Sequence, residues 1–200
     1  MATTWRVSGQ VQVAVDETTE SGERVRGTFS LGGIEVEVFG SLLNSGGYAS
    51  WGKTTTNNDG SFSLSESIAV FPEKPRHIRV KAKLNSKTLE ISTGTLADAF
   101  ESDWYTIYQS DTKHERPAVN VGRRVFRSTG GGDLGTQRPY RQAVAWHVCT
   151  RIMDELTAHD SWFAFKKKIT IVYPANVISG VPYANGVTRC AFIHHKGASD

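Results

Sequence analysis

The sequence predicts a mainly β protein: an N-terminal antiparallel β-sandwich followed by a small α/β region with one long amphipathic helix. Three observations carry this. Between Trp5 and Phe126 the apolar residues recur with a period of two, the mark of half-buried strands. The run Ser128-Thr129-Gly130-Gly131-Gly132-Asp133-Leu134-Gly135 has no periodicity and too much glycine for a regular element. Beyond it the apolar period lengthens to that of a helix. The expected domains are therefore a sandwich over 1–127, a glycine-rich linker over 128–138 and an α/β region over 139–200.

Each element follows from its own residues. Val7, Val11, Val13 and Val15 begin an alternation that breaks in the polar stretch Glu17 to Glu23, and Ile34, Val36 and Val38 alternate with Gly33, Glu35 and Glu37. Phe62 and Leu64 continue the pattern after a turn. Ile78, Val80, Ala82 and Leu84 alternate with Arg79, Lys81 and Lys83, giving one apolar and one basic face. Leu89 and Ile91 answer across an Asn85-Ser86-Lys87 turn. Thr95 to Phe100 fits one helical turn, and Trp104 to Tyr108 and Val119 to Phe126 read as further strands. Short strands at this spacing without intervening helices argue for a sandwich. Past the linker, Ala145, Val148, Cys149, Ile152, Met153 and Leu156 draw one apolar stripe along a helix from about 140 to 158. Pro139 suits its first turn. Ile169 to Tyr173 and Cys190 to Ile193 are expected strands.

Composition narrows the function classes. The 200 residues carry a formal charge of +3, and Lys166-Lys167-Lys168 is the one dense basic run, so the footprint of a nucleic-acid binder is weak and no nucleic-acid partner is expected. No segment approaches the roughly 18 apolar residues of a membrane helix, and the first ten residues lack the pattern of a leader. The chain as written is expected in the cytoplasm, or at the cell surface if a leader has been removed. Two cysteines, Cys149 and Cys190, are too few for a disulfide framework and read as buried thiols, with a bridge between them left open.

The strongest short motif of the first half is Asn57-Asn58-Asp59-Gly60. A calcium loop needs oxygen ligands at alternating positions and a closing Glu at the twelfth, where this chain has Ile68. The turn reading succeeds instead. Asn, Asp and Gly tolerate positive φ, and the flanking runs, Lys53 to Thr56 and Ser61 to Leu64, can pair as a hairpin.

Gly9 in the first strand, Gly33-Ile34-Glu35-Val36-Glu37-Val38 in the second and Thr54-Thr55-Thr56-Asn57-Asn58-Asp59-Gly60-Ser61-Phe62 in the third together resemble the transthyretin-like and carboxypeptidase-regulatory-like β-sandwiches. The Ile78-Arg79-Val80-Lys81-Ala82 strand also fits. The resemblance implies the fold and an accessory role beside another domain. It does not extend to the hydrolase chemistry of transthyretin-related purine enzymes, because no matching pair of histidines is found and His77 is read as the sandwich's one histidine. The C-terminal region resembles, more faintly, the opening of a zincin-like metallopeptidase domain, with strands like Lys168 to Pro174 and Thr188 to Ile193. That family's metal helix carries His-Glu-x-x-His, which is absent. His114-Glu115-Arg116-Pro117-Ala118 lacks the second histidine and contains a helix-breaking proline. The resemblance thus implies a truncated or degenerate relative.

Other chemistry is sparse. His194 and His195 are the weak metal candidates, but adjacent strand residues point to opposite faces. His147 sits with Arg151, Asp154 and Glu155 on what reads as a solvated helix face. Cys149 falls in the apolar stripe. Cys190 lies roughly 13 Å by strand rise from His194, too far for direct proton transfer. The glycine run lacks the Gly-Lys-Ser/Thr ending of a phosphate loop. No catalytic residue and no cofactor is expected. The function expected is binding or assembly through the sandwich, with a protein partner or a second copy of the chain. Tyr48 and Trp51, in the Gly/Ser/Asn-rich stretch from Asn44 to Trp51, are the candidate contact residues. A degenerate zinc-metallopeptidase-like hydrolase is the alternative.

Overall fold

The computed structural model describes residues 2–18, 22–42, 47–69, 74–94, 102–129, 135, 137–159, 168–175 and 190–192. Four expectations fall outside these residues: the helical turn at Thr95 to Phe100, the glycine run over 130–134, the tip of the 44–51 stretch and the His194-His195 pair. The protein is mainly β. Its strands are β1 (Thr3–Thr18), β2 (Arg24–Ser30), β3 (Glu35–Ser41), β4 (Ala49–Thr55), β5 (Ser61–Ile68), β6 (His77–Lys83), β7 (Leu89–Gly94), β8 (Trp104–Gln109), β9 (Ala118–Phe126), β10 (Ile169–Ala175) and β11 (Cys190–Phe192), and its helix is α1 (Gln137–His159).

Two compact units share these elements: Met1–Lys83 with Trp104–Tyr140, and Leu84–Asp103 with Arg141–Asp200. This division differs from a boundary over 128–138. Leu84–Asp103, expected in the sandwich, groups with the C-terminal residues because β7 finds its ladder partner in β10, far along the chain. Local pattern carries no information about such a pairing.

The first unit is a sandwich of two sheets. In one, β1 pairs antiparallel with β5 through residues 3–10 and with β2 through residues 12–18, while β9 runs parallel to it. The Val11 amide donates to the Gly60 carbonyl at 2.9 Å, and the Val11 carbonyl accepts from the Leu31 amide at 3.0 Å. Both groups of one residue leave a strand on the same side, so β5 and β2 lie end to end along one edge of β1 and β9 takes the other. The strand β2 was not read from the sequence, since Gly27 and the charged Arg24 and Arg26 blur its alternation. The second sheet has the order β4-β3-β6-β8 and is antiparallel throughout. Trp5, Val7, Val11, Val13 and Phe62 of one sheet and Val36, Val38, Val80, Ala82 and Ile107 of the other are buried between them. Two aromatic contacts cross the interior, Trp5 to Trp51 at 5.7 Å and Tyr105 to Phe126 at 6.0 Å.

The Asn57-Asn58-Asp59-Gly60 turn is real, but it joins sheets rather than closing a hairpin. The Gly60 amide donates to the Asn57 carbonyl at 2.8 Å, the Asn57 amide to the Ser61 carbonyl at 2.8 Å, and the Ser61 amide to Asp59 Oδ1 at 2.9 Å. The hydrogen bonds with Ser61 also hold the Asp59 carboxyl below its ordinary range. The turn therefore uses its own polar groups locally, and the strands on either side separate, β4 to pair with β3 and β5 with β1. Thr56 locks the corner: its hydroxyl donates to the Leu31 carbonyl at 2.7 Å and accepts from the Ile34 amide at 3.1 Å. Gly60 has φ +77°, and a Cβ there would lie 2.3 Å from the Val11 carbonyl oxygen.

In the second unit β10 runs parallel to both β7 and β11, in the order β11-β10-β7. The Asn85-Ser86-Lys87 turn forms as expected, with the Ser86 amide donating to the Leu89 carbonyl at 2.8 Å. Lys168, just before β10, pairs with Glu90 at 2.9 Å and also donates to Asn85 Oδ1. The Ser102 hydroxyl donates to the same carboxylate at 2.8 Å. Burial pushes the Glu90 carboxyl up, but the bonds with Lys168 and Ser102 outweigh it and hold it low.

The helix forms over the expected residues and buries a different face. Tyr140, Gln142, Ala143 and Trp146 are buried, whereas Val148, Ile152 and Leu156 of the predicted stripe are 46%, 51% and 38% exposed. An apolar period identifies a helix and a face, but burial requires a neighbouring element against that face.

Replacing Gly60 with Ala is expected to lower the unfolding free energy by at least about 2 kcal/mol, because strained φ and the contact with Val11 act together. Gly33→Ala, with φ +75° but open space around its Cβ, is expected to cost only about 1 kcal/mol. Urea unfolding of both variants measures the difference, and equal costs would remove the close approach as its cause.

Candidate functional site

The outer face of the β4-β3-β6-β8 sheet collects cations and aromatic rings. Inward Val36, Val38 and Val80 leave Glu35, Glu37 and Phe39 of β3 and Arg79, Lys81 and Lys83 of β6 on the opposite side. The rings come from three segments and each lies under a cation. Arg79 stacks on Tyr48 at 4.0 Å, Lys81 lies 5.5 Å from Phe39, and Lys53 and Lys83 lie 5.0 and 5.7 Å from Trp104. Lys53 also pairs with Glu35 at 2.7 Å, which raises its proton affinity, and Ser50 donates to Glu37 at 2.6 Å. Arg79 donates to Gln109 at 2.9 Å. Each cation–ring contact at such exposure is worth about 0.5–1 kcal/mol, enough to order the face and too little to explain the fold.

The two expected contact residues part company here. Tyr48 belongs to this face, with its hydroxyl buried and without a hydrogen-bond partner among the described residues. Trp51 does not. The ladder between β3 and β4 shifts register between Val38 and Phe39, and this bulge turns the indole inward. It then lies against Trp5 and over Gly40, where a Cβ would come within 1.9 Å of it. Trp51 is a packing residue, and the absence of a side chain at Gly40 makes room for it.

A second group lies on the inner side, where β8 and β9 approach. The Tyr108 hydroxyl and His114 Nε2 are 3.0 Å apart, and the Arg124 guanidinium stacks on the Tyr108 ring at 4.6 Å. Arg76 and His114 exchange both backbone hydrogen bonds as an antiparallel bridge, so their side chains start from one face. Arg76 is 7% exposed, and burial pushes its guanidinium down. Arg124 Nε is buried without a hydrogen-bond partner among the described residues. Burial raises the Tyr108 hydroxyl, with Arg124 opposing and Asp111 adding to the shift. Burial, and then the neighbouring His77, lower the His114 imidazole. His77 itself is 5% exposed, with Nδ1 buried and unpartnered among the described residues. His77 is thus not the one histidine of the sandwich: the chain brings His114 beside it.

The remaining sequence candidates carry less. His147 is half-buried rather than solvated, and burial followed by Arg151 lowers its imidazole. Cys149 is a free, half-buried thiol that burial pushes up, a poor nucleophile. The side chain of Cys190 lies outside the described residues, as do His194 and His195. Among the described residues no group of three or more His, Cys, Asp or Glu could hold a metal, and no helix is long and apolar enough to cross a membrane. Sequence reasoning missed Arg76, Tyr108, His114 and Arg124. A faint signal existed in Arg124, a charge two residues before the core residue Phe126, but counting by twos from the buried Val119 and Val121 points to Arg123 instead, because the register shift in the ladder between β1 and β9 falls between them.

The chain matches no protein-family profile and no curated protein. Among solved structures it is similar to a 9R-lipoxygenase from Cyanothece PCC8801, at 14% identity and TM-score 0.35 over 80% of this chain and 24% of that one. The chain therefore spans about a quarter of the lipoxygenase's length. It is also similar to the plantain pollen allergen Pla l 1, at 18% identity and TM-score 0.32 over 62% of this chain and 93% of that one. Shaft pilin SpaA from Lactobacillus rhamnosus GG follows at 12% identity and TM-score 0.28, over 62% of this chain and 51% of that one. At these scores the likenesses carry no function.

Trp51→Ala is expected to cost about 2–3 kcal/mol of stability, less than a fully buried aromatic truncation because the ring is half-buried, while Tyr48→Ala leaves the denaturation midpoint nearly unchanged; denaturant unfolding tells them apart. For His114 the folded-state pKa lies below the unfolded value of about 6.5, so the unfolded chain binds the proton first. Its contribution to stability is full above that value and is lost as pH falls from there through the lower folded-state pKa. Unfolding free energies measured from about pH 7.5 to about pH 5.5 should fall less steeply in His114→Gln than in the wild type, and an identical slope would contradict the assignment.

Proposed function

We propose that the chain is a non-catalytic binding or assembly protein whose sandwich engages a protein partner through the outer face of the β4-β3-β6-β8 sheet. The observation that carries this reading is the array of three rings, Phe39, Tyr48 and Trp104, each under a lysine or arginine. Aromatic and arginine side chains are the residue types that anchor interfaces. Lys53 is already paired with Glu35, but Arg79, Lys81 and Lys83 rest on rings and leave their charge available to a partner's carboxylates, which also favours fast, salt-dependent encounter. The sheet's edges are less suited to pairing with a further strand. On β4 the bulge at Trp51 and the lysine at position 53 are features that discourage edge-to-edge association. The resemblance of the sandwich to transthyretin-like and carboxypeptidase-regulatory-like modules supports an accessory role. The partner class that fits is a protein with an acidic surface, either another chain or a second copy of this one.

Capture from an extract of the native host tests the reading. The double variant Arg79→Glu/Lys81→Glu is expected to lose the protein retained by the wild type, with an unchanged folded spectrum. Lys87→Glu, an exposed charge in the second unit, is expected to retain it. Raising salt from about 0.1 to about 0.5 M should weaken wild-type capture as screening lengths shorten. Equal capture by all three proteins would remove this face as the contact surface.

A further inference from the structure

The inner polar group near β8 and β9 is built on contacts other than the cation–ring pairs of the proposed outer face. Three of its members, Tyr108, His114 and Arg124, are linked in a chain by the 4.6 Å guanidinium–ring stack and the 3.0 Å hydroxyl–imidazole contact. Arg76 is brought beside them by its isolated bridge with His114. In a sandwich interior such a collection is costly, because a guanidinium withdrawn from water needs acceptors or a counter-charge. At Arg124 Nε that need is unmet among the described residues. The carboxylate that acts on Tyr108 is the exposed Asp111, and among the described residues none acts on His114. Around Arg124 and His114 the described residues therefore offer more donors than acceptors. It is also reachable, since Tyr108, His114 and Arg124 are only half-buried.

We infer that Arg76, Tyr108, His114 and Arg124 form a binding site for a small oxyanion, a phosphate or carboxylate group. The planar guanidinium of Arg124 supplies the fork that such groups accept. Its stacking on Tyr108 fixes the plane of that fork, and the hydrogen-bonded phenol–imidazole pair adds one neutral donor beside it, the hydroxyl or Nδ1–H according to the tautomer. An anion seated there would favour the protonated form of His114, which burial and the neighbouring His77 disfavour, so binding should strengthen as pH falls through the imidazole's range. The site belongs to the first unit alone and does not depend on a protein partner.

The test is a titration of the purified protein with inorganic phosphate and, separately, with acetate, at an ionic strength held constant with sodium chloride. The side-chain nitrogen resonances of His114 are followed by NMR and the heat by calorimetry. The expected result is saturable binding of one of the two anions, with the His114 titration midpoint moved upward in its presence. Preference for phosphate would assign a phosphorylated ligand, and preference for acetate a carboxylic acid. Arg124→Gln should bind at least about tenfold more weakly, the usual loss when a charged hydrogen bond is removed. Arg127→Gln, exposed just beyond the end of β9, should bind as the wild type. If Arg124→Gln does not fold, Arg124→Lys keeps the charge without the fork and should bind at an intermediate strength. No saturable response to either anion, or equal affinity in wild type and Arg124→Gln, overturns the inference.

Discussion

Strand β1 is held along both edges, and the residue on which its pairings meet is Val11. The Val11 amide and carbonyl join the end of the Asn57–Gly60 turn and the start of the β2-to-β3 connection to one edge of β1. With β9 on the other edge, β1 has no free side along most of its length. The geometry succeeds only because Gly60 can bring its backbone against the Val11 carbonyl. From this junction the rest follows. The corner at Thr56 sends β4 into one sheet and β5 into the other, which fixes the two layers and the inward row of Trp5, Val7, Val11 and Val13 between them.

The same sandwich uses positive charge in two ways, and the difference in environment decides what each can do. On the outer face Lys53, Lys81 and Lys83 remain near water, and their contacts with Phe39 and Trp104 are weak, reversible and screened by salt. Inside, Arg76 is buried and the Nε of the half-buried Arg124 is withdrawn from water, where the dielectric is lower and an unmet donor costs more. The first arrangement suits a macromolecular surface that must associate and release. The second suits a small charged group that can enter between sheets. The second unit uses the same chemistry structurally: Lys168 and Glu90 neutralise one another and, with Ser102, tie separate segments to the start of the parallel sheet.

Much of the sandwich was legible in the chain because period-two burial depends on neighbours one and two residues away. Ile34, Val36 and Val38, and Ile78, Val80 and Ala82, are buried as their alternation requires. The turn at Asn57–Gly60 was legible for the same local reason. Strand partners were not. The expected hairpin of β4 with β5 is an inter-sheet corner, and β7 left the sandwich for a parallel ladder with β10, since neither pairing is encoded near the residues that make it. The helix stripe shows the same limit, because Val148, Ile152 and Leu156 form an apolar face that stays exposed among the described residues.

The candidate sites divide along that line too. Tyr48 and the basic row Arg79, Lys81 and Lys83 could be picked out from residue type and period alone. The inner group could not, because Arg76, Tyr108, His114 and Arg124 meet only after β6, β8 and β9 have been placed. The bulge at Trp51 likewise reversed a side chain that composition had assigned to a contact loop. The sequence alone determined that this is a mainly β protein, where its turns fall and which strand faces are apolar, since those depend on short-range sterics and burial period. The tertiary structure alone decided which strands pair, that Trp51 faces the core, and that His114 joins Tyr108 and Arg124, since long-range hydrogen bonding and single-residue bulges reset which way each side chain points.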